Sequence, residues 1–166
     1  EMFDLALIPG HSFQNLNTPQ DQVACLDCIK RHLNPGGVLV VHLDYMNIEN
    51  MIWLSELCGE KRGVFEAEEQ FKHPDTGCQI QASRAWIYEP STQTALLQSV
   101  WEELDAEGQV SNRIERESIR LHVVFRFEME HLLARVGFEV ETVYGDFFRH
   151  ELQDESPGMI WVAKRA

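Results

Sequence analysis

The residues best suited to chemistry lie just after two apolar runs of the sequence, 3–8 and 38–43. His11 follows the first run, and Tyr45 and Asn47 follow the second. We expect His11 to act as a general base, since a free imidazole has a pKa of about 6.5. We expect Tyr45 and Asn47 to contact a substrate. The alternatives are a solvated loop histidine and an aromatic side chain that serves only packing.

Both apolar runs have the composition of parallel strands that are buried on both faces. A helix between them would complete a right-handed β-α-β unit, with the ligand site at the carboxyl ends of the strands. Thr18 is the expected N-cap of that helix and Pro19 its first residue. The sequence at 34–37, Asn-Pro-Gly-Gly, should stop it. The face towards the sheet is predicted to hold Val23, Leu26, Ile29 and Leu33.

The middle of the chain has a different pattern. Four segments alternate as strands do, and turn-forming residues separate them. The segments are 62–72, 78–89, 93–104 and 109–124. They predict an antiparallel β-meander inserted at 60–125. Trp86, within it, is expected to form part of a substrate pocket, although aromatic residues at such spacing more often fill the face of a sheet.

The remaining pattern predicts helices at 47–58 and 127–136 and strands at 138–146 and 158–164. The fold class is therefore α/β. We expect residues 1–166 to form a single domain, since neither a linker nor a repeat interrupts them.

Bulk properties exclude several classes of partner. The net charge is −13, from 27 acidic and 14 basic residues, which disfavours nucleic acid and anionic membrane surfaces. The four cysteines lack the pattern of a disulfide framework, so a cytoplasmic location is expected. Cys25, Cys28 and His32 share one side of a helix, but they come from a single element and lack a fourth ligand, so no metal site is predicted.

Several motifs in order resemble the second half of class I S-adenosylmethionine-dependent methyltransferases. They are Asp-Leu-x-x-Ile-Pro at 4–9, Ser-Phe at 12–13, Leu-x-Thr-x-x-Asp at 16–21, Cys-Leu-x-x-Ile-x-x-His-Leu at 25–33, Pro-Gly-Gly-Val-Leu-Val at 35–40, and the segments 130–140 and 143–147. The resemblance implies a partial Rossmann-like sheet, strands four to seven of the family, with the meander inserted. It implies S-adenosylmethionine as cofactor, with Ile8, Pro9, Ser12 and Phe13 lining its pocket.

The glycine-rich turn that such enzymes carry after their first strand does not occur here before Phe3. We therefore expect the chain to be a C-terminal fragment that needs the missing N-terminal half to bind the cofactor and is inactive alone. Strand 3–8 would then be an uncovered apolar edge, and such edges recruit other strands. This predicts a homodimer, or association with a partner, through 3–8.

Two functions remain open at this point. The first is methyl transfer to a small-molecule acceptor, with this chain as one part of the enzyme. The second is a non-catalytic module for small-ligand binding or protein interaction, which a closed cavity among the meander residues would favour. The sequence does not name the acceptor or the atom that is methylated.

Overall fold

The computed structural model describes the backbone of residues 1–166 and every side chain except those of 117 and 118. The elements, in chain order, are β1 (Phe3–Ile8), a 3-10 helix (Ser12–Asn15), α1 (Pro19–His32), β2 (Leu33–Asp44), α2 (Ile48–Cys58), β3 (Glu66–Lys72), β4 (Gln79–Glu89), β5 (Thr94–Leu104), β6 (Val110–His122), α3 (Arg126–Arg135), β7 (Phe138–Tyr144) and β8 (Gly158–Arg165). They form two compact units, 1–53 with 121–166 and 54–120. A single domain with an insertion at 60–125 stays a prediction.

The first unit contains a four-stranded sheet in the order β1-β2-β8-β7. β1 runs parallel to β2, with Ala6 opposite Leu39 and Ile8 opposite Val41. β8 is antiparallel to both β2 and β7. The predicted α/β class with a partial Rossmann-like sheet is confirmed.

Helix α1 begins as its sequence predicts. The hydroxyl of Thr18 accepts a hydrogen bond from the backbone N–H of Asp21 at 3.1 Å, and Pro19 is the first helical residue. The helix ends at His32, and the strand assignment of β2 starts directly at Leu33. Leu33 is therefore the first residue of the strand instead of the last helical core residue. Gly37 is required here, because a Cβ atom on it would lie 2.8 Å from the carbonyl oxygen of Asn34.

One hydrophobic core joins the sheet of the first unit to α1 and α3. Its fully buried members come from the 3-10 helix, β2, β8 and both α-helices, and they exclude water from one face of the sheet. The largest are Trp161, Phe13, Leu26, Leu33, Leu39, Leu43, Met129, Leu133 and Met159.

Strand β1 lies at the edge of its sheet, as predicted, but the burial of its two faces differs from the prediction. Ala6 and Ile8 pack against the core. Phe3, Leu5 and Leu7 point to the other side and are 48%, 52% and 61% exposed. The expectation that this strand is buried on both faces is wrong, because no described residue covers its odd-numbered side chains.

The second unit contains a four-stranded sheet in the order β3-β4-β5-β6. Both β3 with β4 and β4 with β5 are antiparallel, and the turn at 105–109 connects β5 to β6. The strand order confirms the predicted meander. β3 starts at Glu66, four residues later than the alternation suggested, and β6 ends at His122. Among the described residues, no helix has the length and apolar composition of a membrane span.

Candidate functional site

The loop after β1 is a tight turn that fixes the position of His11. The N–H and the hydroxyl of Ser12 both donate to the carbonyl oxygen of Pro9, at 3.2 and 2.6 Å. Gly10 and His11 adopt left-handed conformations, with φ of 60° and 59°. A residue other than glycine pays about 1–2 kcal/mol for this conformation. Such strain is concentrated at functional sites, which makes the loop a candidate site.

The side chain of His11 meets the end of strand β2. Its Nε2 atom lies 2.9 Å from Nε2 of His42, and the two ring centroids are 4.1 Å apart. The same Nε2 atom lies 3.5 Å from a carboxylate oxygen of Asp44. The side chains of His11 and Asp44 are 37% and 34% exposed, so solvent reaches this cluster. We call the ends of β1 and β2, with the loops that follow them, the rim.

His42 occupies the less accessible side of this cluster. The ring of Phe147, in the loop after β7, contacts its imidazole edge-on at a centroid distance of 4.8 Å. Nδ1 of His42 is buried and has no hydrogen-bond partner among the described residues. Burial, and the neighbouring His11, lower the pKa of His42, while Asp44 acts in the opposite direction.

Gln14 connects the loop to the rest of the rim. Its side chain is 2% exposed. Its Oε1 atom accepts from the backbone N–H of Asp44 at 3.1 Å, and its amide nitrogen donates to the carbonyl oxygen of His122 at 3.4 Å. A buried amide with both ends bonded holds its neighbours firmly. The loop after β1 is thereby anchored to the end of β2.

The residues predicted to line a cofactor pocket lie in two environments. Pro9 and Ser12 are exposed on the turn, and Ile8 is half-buried. Phe13 is 1% exposed and belongs to the core. Pro9, Ser12 and Ile8 therefore have accessible surface for a ligand, whereas Phe13 supports the loop from beneath. Their role towards a cofactor stays a prediction.

The predicted substrate residues are placed as follows. Tyr45 packs partly against the core. Asn47 stands before α2, where its Oδ1 atom accepts from the N–H of Asn50 at 2.9 Å as an N-cap does. Trp86 is half-buried in β4 of the second unit, and its neighbour Ala85 is the fully buried residue. The structure brings His11 to His42 and Asp44 at the end of β2 and gives Asn47 a structural contact. The substrate role of Tyr45, Asn47 and Trp86 stays a prediction, as does the role of His11 as a general base.

Sequence reasoning missed three residues of this rim. His42 was detectable in principle, as a polar side chain that interrupts the apolar run of β2. Gln14 gave no signal, because a buried glutamine has no distinctive spacing. Phe147 comes near His42 through the return of the chain after β7, which only the folded structure reveals.

Cys25, Cys28 and His32 all lie on helix α1. The Sγ atom of Cys28 lies 4.0 Å from Nδ1 of His32. Burial raises the pKa of the Cys25 thiol. Within the described part of the chain, no group of three His, Cys, Asp or Glu side chains has the arrangement of a metal site.

Three solved structures that the chain resembles are methyltransferases. One is an S-adenosylmethionine-dependent methyltransferase from Clostridium acetobutylicum, with a TM-score of 0.70 and 12% identity. A second is a methyltransferase from Streptomyces caelestis, with a TM-score of 0.65 and 18% identity. A third is an amino pentose methyltransferase from Micromonospora echinaspora, solved with S-adenosylmethionine. Its TM-score is 0.62 and its identity to this chain is 19%. The chain has the fold of S-adenosylmethionine-dependent methyltransferases. The predicted resemblance is confirmed at the level of the fold.

The match includes nearly all of this chain but only part of each methyltransferase. It covers 99%, 100% and 99% of this chain, but 58%, 58% and 59% of those three proteins. The chain therefore spans well under two thirds of the length of the structures it resembles. No protein-family model and no curated protein sequence matches it.

Proposed function

We propose that this chain is the C-terminal part of an S-adenosylmethionine-dependent methyltransferase, and that the enzyme transfers the methyl group to a small molecule. The observation that supports this most is the complete alignment of the chain with just over half of each methyltransferase structure. The loop after β1 and the end of β2 then form one wall of the cleft that would hold the cofactor and the methyl acceptor. The net charge of −13 also favours a small molecule over nucleic acid as the methyl acceptor.

The residues of the loop suit a wall of a cofactor site. A Cβ atom at Gly10 would meet nothing within 4 Å, so the turn faces open space. Ile8 and Pro9 offer apolar surface beside it, and the hydroxyl of Ser12 is already bonded to Pro9. No carboxylate belongs to this turn, so the polar part of the cofactor needs other partners. The chain therefore provides part of a binding site.

The chemistry at this rim is proton removal from the acceptor. S-adenosylmethionine, when bound, supplies a sulfonium methyl group whose bonding electron pair stays with sulfur. As the acceptor nitrogen or oxygen bonds to the methyl carbon, its own N–H or O–H bond must break. His11 is placed to receive that proton, because its side chain is accessible and the turn fixes its backbone.

The exposed side of β1 is the proposed contact for the rest of the enzyme. Phe3, Leu5 and Leu7 are 48% to 61% exposed on a strand that pairs on one edge only. An open apolar edge of this kind binds further strands. We propose that a complementary methyltransferase segment, or a second copy of this chain in its absence, covers β1. The chain alone would then bind the cofactor weakly and not turn over.

Ligand titration followed by NMR tests this function on residues 1–166. With S-adenosylmethionine at millimolar concentration, the backbone amides of 10–12 and of 44–45 should shift, and those of β5 should not. Adenosine, which lacks the sulfonium and the methionine part, is the control ligand. Unchanged amides in the loop would rule out the cofactor wall. Micromolar affinity by calorimetry would rule out the need for a complementary segment.

A specific observation keeps a non-catalytic binding module as the second candidate. The sheet of the second unit carries a cleft of 370 Å³ lined by Phe71, His73, Pro74, Ile80, Trp101, Glu103, Asn112 and Ile114. Phe71 and Trp101 meet edge to face in it, with centroids 6.1 Å apart. The cleft is open, whereas this alternative calls for a closed cavity. Saturable quenching of tryptophan fluorescence by an apolar probe, abolished by Trp101→Leu and retained by Trp53→Leu, would favour the binding module.

A further inference from the structure

The contact between the two imidazoles at the rim restricts where protons can sit. Nε2 of His11 and Nε2 of His42 are 2.9 Å apart, which is a hydrogen-bond distance. Two bare nitrogen atoms at this distance would repel through their lone pairs, and two N–H groups would bring their hydrogen atoms together. The contact is favourable only when a single proton lies between the two nitrogens.

We propose that His11 and His42 form a proton-sharing pair, in which His42 is a positioning residue that stays neutral and holds Nε2 of His11 while His11 receives a proton at Nδ1. The catalytic use of this pair rests on the methyltransferase function proposed above. The shared proton itself depends only on the geometry of the rim.

The surroundings of the two rings place the positive charge on His11. The carboxylate of Asp44 lies 3.5 Å from Nε2 of His11 and offsets a charge there. His42 lacks such compensation at Nδ1, which is buried without a partner. The burial that lowers the pKa of His42 also favours its neutral form. The ring of His42 therefore serves as an acceptor, while the more exposed His11 carries the charge.

Among the described side chains, the contacts that other elements make with His42 come from groups that do not titrate. Phe147, from the loop after β7, contacts the ring with its edge. Gly158 of β8 lies opposite, where an added Cβ atom would be 3.3 Å from Nε2 of His42. The groups that act electrostatically on His42 are His11 and Asp44. The pair thus has one carboxylate to balance one positive charge, so it accepts one proton where two separate imidazoles would accept two.

This arrangement balances the proton released by methyl transfer. The proton leaves the acceptor nitrogen or oxygen and bonds to Nδ1 of His11, because Nε2 of that ring is already in contact with His42 and Asp44. His11 then holds an N–H at both ring positions. Its Nε2–H donates to Nε2 of His42 and faces the carboxylate of Asp44. His42 fixes the ring through that bond and remains uncharged.

NMR of the histidine ring nitrogens tests the pair directly in residues 1–166. In a long-range ¹H–¹⁵N experiment between pH 8.5 and pH 5, we expect the nitrogens of His11 to take imidazolium shifts while those of His42 keep neutral shifts. In His42→Gln, the Nε2 resonance of His11 should move towards the position of a solvated imidazole. His131→Gln, which removes an exposed histidine of α3, is the control and should leave the pair unchanged.

Two results would overturn the shared proton. One is protonation of both rings over the same pH range in the unaltered chain, a measurement that does not depend on any variant folding. The other is equimolar Zn²⁺ binding that shifts the nitrogens of both rings together, since that would make the cluster a metal site.

Activity of the complete enzyme tests the catalytic use separately. His42→Gln should lower kcat on the order of tenfold to a hundredfold and displace the pH profile of kcat, with KM nearly unchanged. An unaltered pH profile would overturn the positioning role. If the unaltered enzyme transfers no methyl group from S-adenosylmethionine under any condition, the proposed function is wrong. The NMR measurement of the shared proton would be unaffected by that result.

Discussion

Strands β1 and β2 run side by side in the same direction, and both consist largely of aliphatic residues. Their surroundings are opposite. In β2, Leu39, Val41 and Leu43 are completely buried. In β1, Leu5 and Leu7 are more than half exposed. The same kind of sequence therefore forms the centre of one core and an uncovered border. The difference shows that β1 has the composition of an interior strand and lacks the cover that such a strand requires.

The largest effect should come from removing equivalent side chains on the two strands. Leu39→Ala should lower the free energy of unfolding by about 2–5 kcal/mol, because it leaves a cavity in the core. Leu7→Ala, on the neighbouring strand, should change it by about 0.5 kcal/mol or less, because its side chain is already in water. Urea unfolding at low protein concentration measures both. Equal losses would mean that β1 is covered in solution.

A charge on β1 should reveal whether that strand associates with another copy. We expect Leu7→Lys to weaken self-association by about tenfold or more, since it buries a charge in an apolar contact between strands. Sedimentation velocity over a range of concentrations measures this. Val110→Lys places the same charge on an exposed residue of β6, at the border of the other sheet. If both variants behave alike, or the unaltered chain is monomeric at every concentration, association through β1 is wrong.

Much of the fold was predictable because local rules agree with the packing. Thr18 and Pro19 start α1 as their chemistry requires, and the turns between β3, β4, β5 and β6 lie where glycine, proline and aspartate cluster. The failures occur where a distant part of the chain decides. An aliphatic run specifies that a strand can be buried, but not whether a neighbour exists to bury Leu5 or Leu7.

The candidate site was predictable to a smaller extent. His11 was found because it follows a strand in a turn, which is a local feature. Its contact with His42 depends on the parallel register of β1 and β2, in which Ile8 lies opposite Val41. The contribution of Phe147 depends on the return of the chain after β7. A site assembled from three segments has no signature in any one of them.

The helix that joins β1 to β2 gives a smaller test of the comparison. Thr18→Ala removes the hydroxyl that accepts the N–H of Asp21, and it should cost about 1 kcal/mol. Thr92→Ala in the turn before β5 is a matched control, because its hydroxyl contact is long, at 3.4 Å, and exposed. Thermal unfolding of both variants measures the difference. A loss in Thr18→Ala no larger than in the control would show that packing on β2, and not the cap, holds α1.

The smallest effect concerns His42, a polar residue within the apolar run of β2. The apolar run of β1 has no such residue at its centre. The pKa of His42 is lowered in the folded chain, so below about pH 6.5 the unfolded chain binds more protons at this residue than the folded one. The free energy of unfolding should therefore fall as the pH decreases from about 6.5 towards 5. The lowered pKa of Asp146, which His150 causes chiefly through a hydrogen bond, acts only at lower pH and stays outside this window. His42→Gln should flatten the dependence and His131→Gln should not. A slope unchanged by His42→Gln would mean that the ring of His42 reaches water, and that β2 is less protected at this position than at Leu43.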